Sequence, residues 1–420
     1  MAVIKMLSAE YILDMPEDVI KKICLVLSIV DLMSLCKINS QIKKIIWDND
    51  YFWKEKYLLE YGNNIKDYTE SWRKLYLEQK AFAYGDNNYA LLGVNKTKAE
   101  QDQISLLSIK NIAYNYGHVV ALTNSGEVYV WGMCDTGSGI ELYNETKIYE
   151  PVKINFEKNV TAKYVHAGNN YMYTIDKNNN LWGSGKLSYL VPSLFNDRRV
   201  LPVMDKLSDY TTKNKEIFTT AIEVVSSYSH LLIKTIDMSY YLLIRNGKDE
   251  DAIKLEFDYG IKQCCLLDDC ILILDNNGKF WTSSVFYGKK PYEFNEVFEE
   301  TYYMGEFLLT KVFDTTVKTI IADKSGAICL VTPIGHLYVV GNNSRSCFGS
   351  TLPKKLIKPV KIENLICKKV SVSLDKTVII DDKSNVHILG QNQQLIDNIY
   401  CNNCLALPLG YILCGYIKIN

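Results

Sequence analysis

The chain lacks an excess of either charge: 47 Lys and Arg stand against 48 Asp and Glu over 420 residues, for a net −1 at neutral pH. Proteins that wrap nucleic acid neutralise phosphates with a basic surplus or tail, so no nucleic-acid partner is expected. Long apolar runs are missing too. The longest, Ile23–Val30 with one Ser, covers eight residues where a bilayer needs about 20, so no membrane partner is expected. No basic segment, apolar stretch and small-residue cleavage site occur in series near residue 1, which predicts no signal peptide and a cytoplasmic location, with the nucleus as the alternative. Proline is scarce at 9, whereas Tyr reaches 30. The 12 cysteines have no regular spacing, the usage of reduced, mostly buried thiols. Cys401-x-x-Cys404 lacks the second pair a structural zinc site wants. No phosphate-cradling Gly-rich loop, G-x-S-x-G elbow or H-E-x-x-H helix occurs. A non-catalytic protein with no metal and no cofactor is the expectation.

What is present divides into a short helical start and a long repetitive remainder. Asp14-Met15-Pro16-Glu17 predicts a helix start, with Asp14 as cap and Pro16 in the first turn, where its missing N–H costs little. Val19, Ile20, Ile23 and Leu27 then follow helical spacing. Asp31 is a second cap candidate ahead of Leu32, Leu35 and Ile38, and Ile42, Ile45 and Ile46 carry a third short helix towards Trp47. Phe52, Trp53 and Tyr57 add a heavy aromatic load. Trp72, Leu75 and Tyr76 share one face of a connecting helix expected within residues 61–80, which would hold the first domain at a fixed angle to the second.

Met15-Pro16-Glu17, Ile20, Ile23, Leu27, Asp31-Leu32, Leu35, Ile38 and Trp53 stand in the order and spacing of an F-box, which residues 9–60 resemble. Met replaces the usual Leu of the opening, and Ile42 stands where an aromatic is common. The resemblance implies docking on the Skp subunit of a cullin–RING ubiquitin ligase. It makes Met15, Pro16, Ile20, Leu32 and Leu35 the contact residues, with contact and core roles not separable at this stage.

Six segments align without gaps: His118–Gly132, Tyr171–Gly185, His230–Ile244, Cys270–Ser284, Ala327–Gly341 and Lys376–Gly390. Each is an apolar strand, a polar turn and a second strand. The turn centres at 126, 179, 238, 278, 335 and 384 recur at a mean of about 52 residues, and four of them are Gly or Asn, as tight hairpins want. Small antiparallel sheets at such a period bury their faces by stacking radially, which predicts a β-propeller over 81–420. Phe82–Gly85 and the strand-like stretches at 404–407 and 411–413 would complete one blade from both ends, giving seven blades, or six as the fallback. Residues 186–222 and 285–325 read as diverged connections. Asp268-Asp269 and Asp381-Asp382 are expected at solvated hairpin surfaces, and His118 and His230, at one repeat position, as structural hydrogen bonders.

Gly85-Asp86-Asn87 with Leu92-Gly93, Gly341-Asn342-Asn343 with Phe348-Gly349, and the pairs Pro151-Val152 and Pro359-Val360 together resemble the repeat of the regulator of chromosome condensation family. The fold class implied is multidomain: a three-helix F-box-like unit, a connecting helix, then an all-β propeller. The pairing is similar to F-box proteins of giant DNA viruses, which would place the Skp and cullin partners in a host cell. The function implied is a substrate-recognition adaptor whose propeller binds an unknown target protein. Two alternatives stand beside it: a non-ligase interaction scaffold, and a nucleotide-exchange factor for a Ran-type GTPase, as the family's name-giving member is.

Overall fold

The computed structural model describes residues 15–27, 32, 35–37, 39–61, 71–78, 80–106, 108–115, 117–133, 147–154, 156, 160–168, 171–185, 201–209, 214–227, 230–244, 252–267, 270–283, 301–304, 307–383, 385–391, 394–396, 403–407 and 410–414.

Helix α1 spans Glu17–Leu25. Pro16 is not in its first turn but at the cap, extended at ψ 144°, with its carbonyl accepting from the Val19 and Ile20 amides at 2.9 and 3.1 Å. Asp14, the expected cap, and Asp31 lie outside the described residues. Helix α2 (Ser40–Ile42) is capped by Asn39 Oδ1, which accepts from the Gln41 and Ile42 amides, and it runs on as a wider π turn over Lys43–Trp47. Helix α3 (Asp50–Tyr61) occupies the stretch where the sequence suggested only an aromatic load. The connecting helix is α4, Trp72–Glu78.

Strands follow in chain order. After β1 (Ala81–Asp86) and β2 (Lys98–Gln103) comes the sheet β3 (Ile109–Asn115), β4 (His118–Thr123), β5 (Val128–Met133) and β6 (Lys147–Lys153). The next holds β7 (Ala162–Ala167), β8 (Tyr171–Asp176), β9 (Leu181–Gly185) and β10 (Leu201–Lys206). A third holds β11 (Ala221–Ser226), β12 (His230–Thr235), β13 (Tyr240–Ile244) and β14 (Ile253–Leu255). The fourth has five strands: β15 (Ile261–Leu266), β16 (Ile271–Asp275), β17 (Phe280–Ser283), β18 (Thr301–Met304) and β19 (Phe307–Phe313). The fifth has seven: β20 (Thr319–Ala322), β21 (Ala327–Val331), β22 (His336–Asn342), β23 (Lys355–Val372), β24 (Lys376–Asp381), β25 (Val386–Gly390) and β26 (Gln394–Ile396). Its centre is the 18-residue β23, whose residues 355–366 pair with β22 and whose residues 367–372 pair with β24.

The last strands, β27 (Asn403–Leu407) and β28 (Gly410–Cys414), return to the start: β28 pairs antiparallel with β1, Ala83 opposite Ile412, in the order β2-β1-β28-β27. One blade is thus built from both ends, as expected. The innermost strands touch in the order β27, β3, β7, β11, β15, β20, β23 and again β27, which closes the ring. Counted by hydrogen-bonded sheets, the β-propeller has six blades, the fallback number. The stretches read as diverged connections hold regular strands, β10 in one and β18 to β20 in the other.

The turn glycines show why the period is so regular. Gly126, Gly278 and Gly335 have φ of +85°, +77° and +85°, and their carbonyls accept the amides of Ala162, Val317 and Cys367 at 2.7–2.9 Å. A Cβ there would stand within 2.3–2.7 Å of Thr161, Thr316 or Ile366. Left-handed backbone and close approach by the chain entering the next repeat both demand glycine.

The helical unit is not a separate bead. Ile20, Leu32, Trp47, Phe52, Trp53, Tyr76 and Leu77 belong to one continuous apolar core with Phe82, Tyr84, Val378, Ile380 and Tyr411 of the closing sheets. Asp50 fixes the join: its carboxylate accepts from Ser71 Oγ and from the Trp72 and Arg73 amides at 2.9–3.1 Å, capping α4.

Candidate interaction sites

The five residues assigned to Skp docking separate in space. Pro16 is exposed and Met15 half-buried. Ile20, Leu32 and Leu35 are buried in the shared core, Leu32 completely. The apolar side chains left open on α1 and its C-terminal turn are Val19 and Val26, the latter 79% exposed. Behind them the buried Lys56 donates from Nζ to the Leu25 and Leu27 carbonyls at 2.8 and 2.9 Å, satisfying acceptors that a helix end leaves open.

On the propeller, a cavity of about 1130 Å³ opens where the β3 end, the β20–β21 and β23–β24 turns and the ends of β1 and β25 converge. Tyr89, Tyr114, Tyr411, Leu374 and Ile388 supply its apolar wall. Its charges are Asp86, Asp323 and Asp375 against Lys98, Lys324, Arg345 and Lys376. Lys376 pairs with Asp375 at 3.4 Å. Burial holds the Lys376 ammonium below its ordinary range, against the pull of Asp375 and Asp86. Burial also pushes the Asp323 carboxyl up, while the Ser325 hydrogen bond and Lys324 oppose it.

Two loops over this cavity share one construction. Asn87, buried, donates from Nδ2 to the Val94 and Lys96 carbonyls at 2.9 Å and accepts the Leu92 amide at 2.9 Å. Asn343, equally buried, donates to the Gly349, Leu352 and Pro353 carbonyls at 3.0–3.2 Å and accepts the Phe348 amide at 2.9 Å. Each Asn turns its loop by satisfying backbone groups that no strand serves. Gly85 and Gly341, at φ +104° and +95°, start the two bends.

All five histidines lie on propeller strands. His118 and His230 open β4 and β12, are buried, and are held near pKa 4 by burial. His166 Nε2 lies 2.9 Å from Ser226 Oγ and tying β7 to β11, and burial lowers it to about 3. Asp381 departs from expectation: it is buried, accepts from Asn385 N–H and Nδ2, and lies 2.8 Å from His387 Nε2. Asp268 and Asp269 lie outside the described residues. Burial raises the thiols of Cys24 to about 11 and of Cys36, Cys347 and Cys367 to about 12, far from nucleophilic. Cys401 is outside the described residues, among which no group of three or more His, Cys, Asp or Glu could hold a metal.

Comparison with known proteins agrees with this architecture. Residues 109–136 match the regulator of chromosome condensation (RCC1) repeat. The chain is similar in fold to human WBSCR16, at TM-score 0.63 and 12% identity, over 80% of this chain and 99% of that one. It is similar to yeast RCC1 (Prp20) in complex with Kap60, at TM-score 0.63 and 14% identity, covering 81% and 89%. Prp20p from Saccharomyces cerevisiae alone gives 0.62 and 14%, covering 85% and 96%. In sequence, 166 residues are 24% identical to the mouse serine/threonine-protein kinase Nek9, covering 38% of this chain and only 16% of the kinase. The chain therefore carries an RCC1-type propeller fold preceded by helices.

Proposed function

We propose that the chain is a protein-interaction adaptor, in its specific form the substrate-recognition subunit of a Skp–cullin ubiquitin ligase. In this reading the helical unit docks on Skp in the cytoplasm and the propeller holds a target. The observation behind it is the fusion of the two parts: a helical unit with the residue order of an F-box is welded by a shared core to a propeller with a walled cavity. A target held by such a rigid body stays at a fixed distance from the conjugating enzyme, which raises its effective concentration there. Because Ile20, Leu32 and Leu35 serve the core, docking falls to Pro16, Met15 and the open face of Val19 and Val26. The seven-stranded sheet is read as two blades sharing β23, which makes seven around the axis, one for each innermost strand.

Burial of Leu32 against the chain's own core favours the second reading, a scaffold without a ligase. Prp20 binds Kap60, Gsp1p and histones, and the fold shared with it keeps the nucleotide-exchange reading, with its GTPase partner, as the third. Binding of the purified chain to a eukaryotic Skp–cullin pair, with Pro16→Ala plus Val19→Asp as control, separates the first reading from the other two. The adaptor reading expects saturable binding lost in the double variant; a folded wild type that does not bind sinks it and leaves the scaffold and the exchange factor. Leu32→Asp is unsuitable as control, since a charge at that buried position unfolds the unit.

A further inference from the structure

The two Asn-built loops present repeat-equivalent residues to one cavity. Tyr89 stands two positions after Asn87, and Arg345 two after Asn343; both are exposed, and both line the cavity. We propose that this pair is the target-recognition site of the propeller. Arg345 takes a carboxylate of an acidic segment of the target, and Tyr89 packs against the segment's neighbouring side chain. The proposal deepens the adaptor reading by naming the target's chemistry, and it rests on the propeller binding a protein.

The charges around the cavity single out Arg345. Lys98 stands directly opposite Asp86 in the β1–β2 register. Lys376 lies between Asp375 and Asp86, and Lys324 adjoins Asp323. Each of these lysines has a carboxylate beside it. Arg345 forms no hydrogen bond or ion pair among the described residues. A guanidinium presents a planar fork that matches a carboxylate with two parallel hydrogen bonds, which a lysine cannot copy. Arg345 is also held in advance. The Ser344 amide is bonded to Asn342 Oδ1 at 2.9 Å and the Ser346 amide to the Asn343 carbonyl at 2.8 Å, so the backbone on both sides is fixed before a ligand arrives. With net charge near zero over the whole chain, the attraction is local and does not extend to polyanions in general.

A random dodecapeptide display library panned on the folded wild type and on Arg345→Glu, Arg345→Lys and Tyr89→Ala tests this. The wild type is expected to enrich peptides carrying Asp or Glu. One such peptide, fluorescently labelled, should bind about tenfold or more weakly to Arg345→Glu and intermediately to Arg345→Lys. Tyr89→Ala should weaken binding while keeping the preference for acids. Retention of the same peptides by Arg345→Glu, enrichment of acid-free peptides, or no enrichment on the wild type overturns the proposal. Skp–cullin binding of the same variants should equal wild type. A wild type that selects acidic peptides but ignores Skp–cullin brings down the ligase role alone, and the converse result brings down this site alone.

Discussion

At the end of the first strand of each repeated hairpin stands Thr123, Asp176, Thr235, Asp275, Thr332 or Asp381, and six residues later Tyr129, Trp182, Tyr241, Trp281, Tyr338 or His387. Every Asp is matched with a ring that carries N–H, and every Thr with Tyr. The Asp176 and Asp275 Oδ2 atoms accept the Trp182 and Trp281 indoles at 3.0 Å, and Asp381 meets His387 at 2.8 Å. Their Oδ1 atoms take the turn amides of Asn180, Lys279 and Asn385. Thr123 and Thr332 take the corresponding amides of Glu127 and His336 at 3.1 and 3.0 Å, and no second acceptor is called for, since a Tyr hydroxyl sits at the ring's far tip. Asp275→Ala should therefore lower stability by about 2–4 kcal/mol, since it strands a buried indole and turn amides. Asp275→Thr with Trp281→Tyr should cost less than the sum of the single changes by about 1 kcal/mol or more. Urea midpoints check both, and strict additivity would count against the pairing.

The same scale holds the acid response. His118 and His230 titrate near 6.5 in the unfolded chain and near 4 when folded, because burial disfavours their charge. Between those values the unfolded chain binds protons that the folded one refuses. Stability is fully present above pH 6.5 and falls as pH drops, by about 1.4 kcal/mol per pH unit per histidine. His118→Gln should flatten the fall in urea midpoint between pH 7 and pH 5.

Among the elements, α3 shows what a sequence pattern hides. Its buried face includes Lys56 beside Phe52 and Trp53, while Tyr51 and Leu59 point to solvent, so no apolar stripe marks one side. Its lysine makes sense only once the end of α1 is placed against it. Lys56→Met keeps the stem but strands the Leu25 and Leu27 carbonyls. It should destabilise by about 1–3 kcal/mol, with faster proteolysis near residue 26 and the propeller intact. Strand β23 was hidden for a different reason. Pro359, the fifth of its 18 residues, reads as a break, yet it falls at the register shift opposite Val339 to Gly341, where β23 pairs with β22 on one side only, and an edge strand has no need of that N–H. The hairpins were legible because turns at positive φ favour glycine or asparagine, and Gly126, Asn179, Gly278 and Gly335 stand where the period puts them, with Met238 taking the same φ without that signal. Of the candidate sites, Asn87 and Asn343 were visible as a repeated motif, but Tyr89 and Arg345 differ in chemistry, and only folding brings them to one cavity.

For the molecule as a whole, the shared core makes the helical unit a cover for the closing blade. A chain lacking residues 1–78 should expose the apolar side of Phe82 and Tyr84, bind a hydrophobic dye and melt several degrees lower than the full chain. Equal melting temperatures for both would show that the two parts are independent.

The pairing of β1 with β28 also sets a timetable for synthesis. Residues 81–86 leave the ribosome early, but their partner at 410–414 is some 330 residues behind, roughly 16–65 s at ordinary elongation rates. Throughout that interval β1 has an open hydrogen-bonding edge, and the core beneath α4 lacks one wall. Every intermediate repeat can form its hairpin as it emerges, from contacts near in sequence, while the seam waits for the last strand. A nascent chain of this protein therefore spends most of its synthesis as an open arc, and premature termination near its end would release an arc that cannot close.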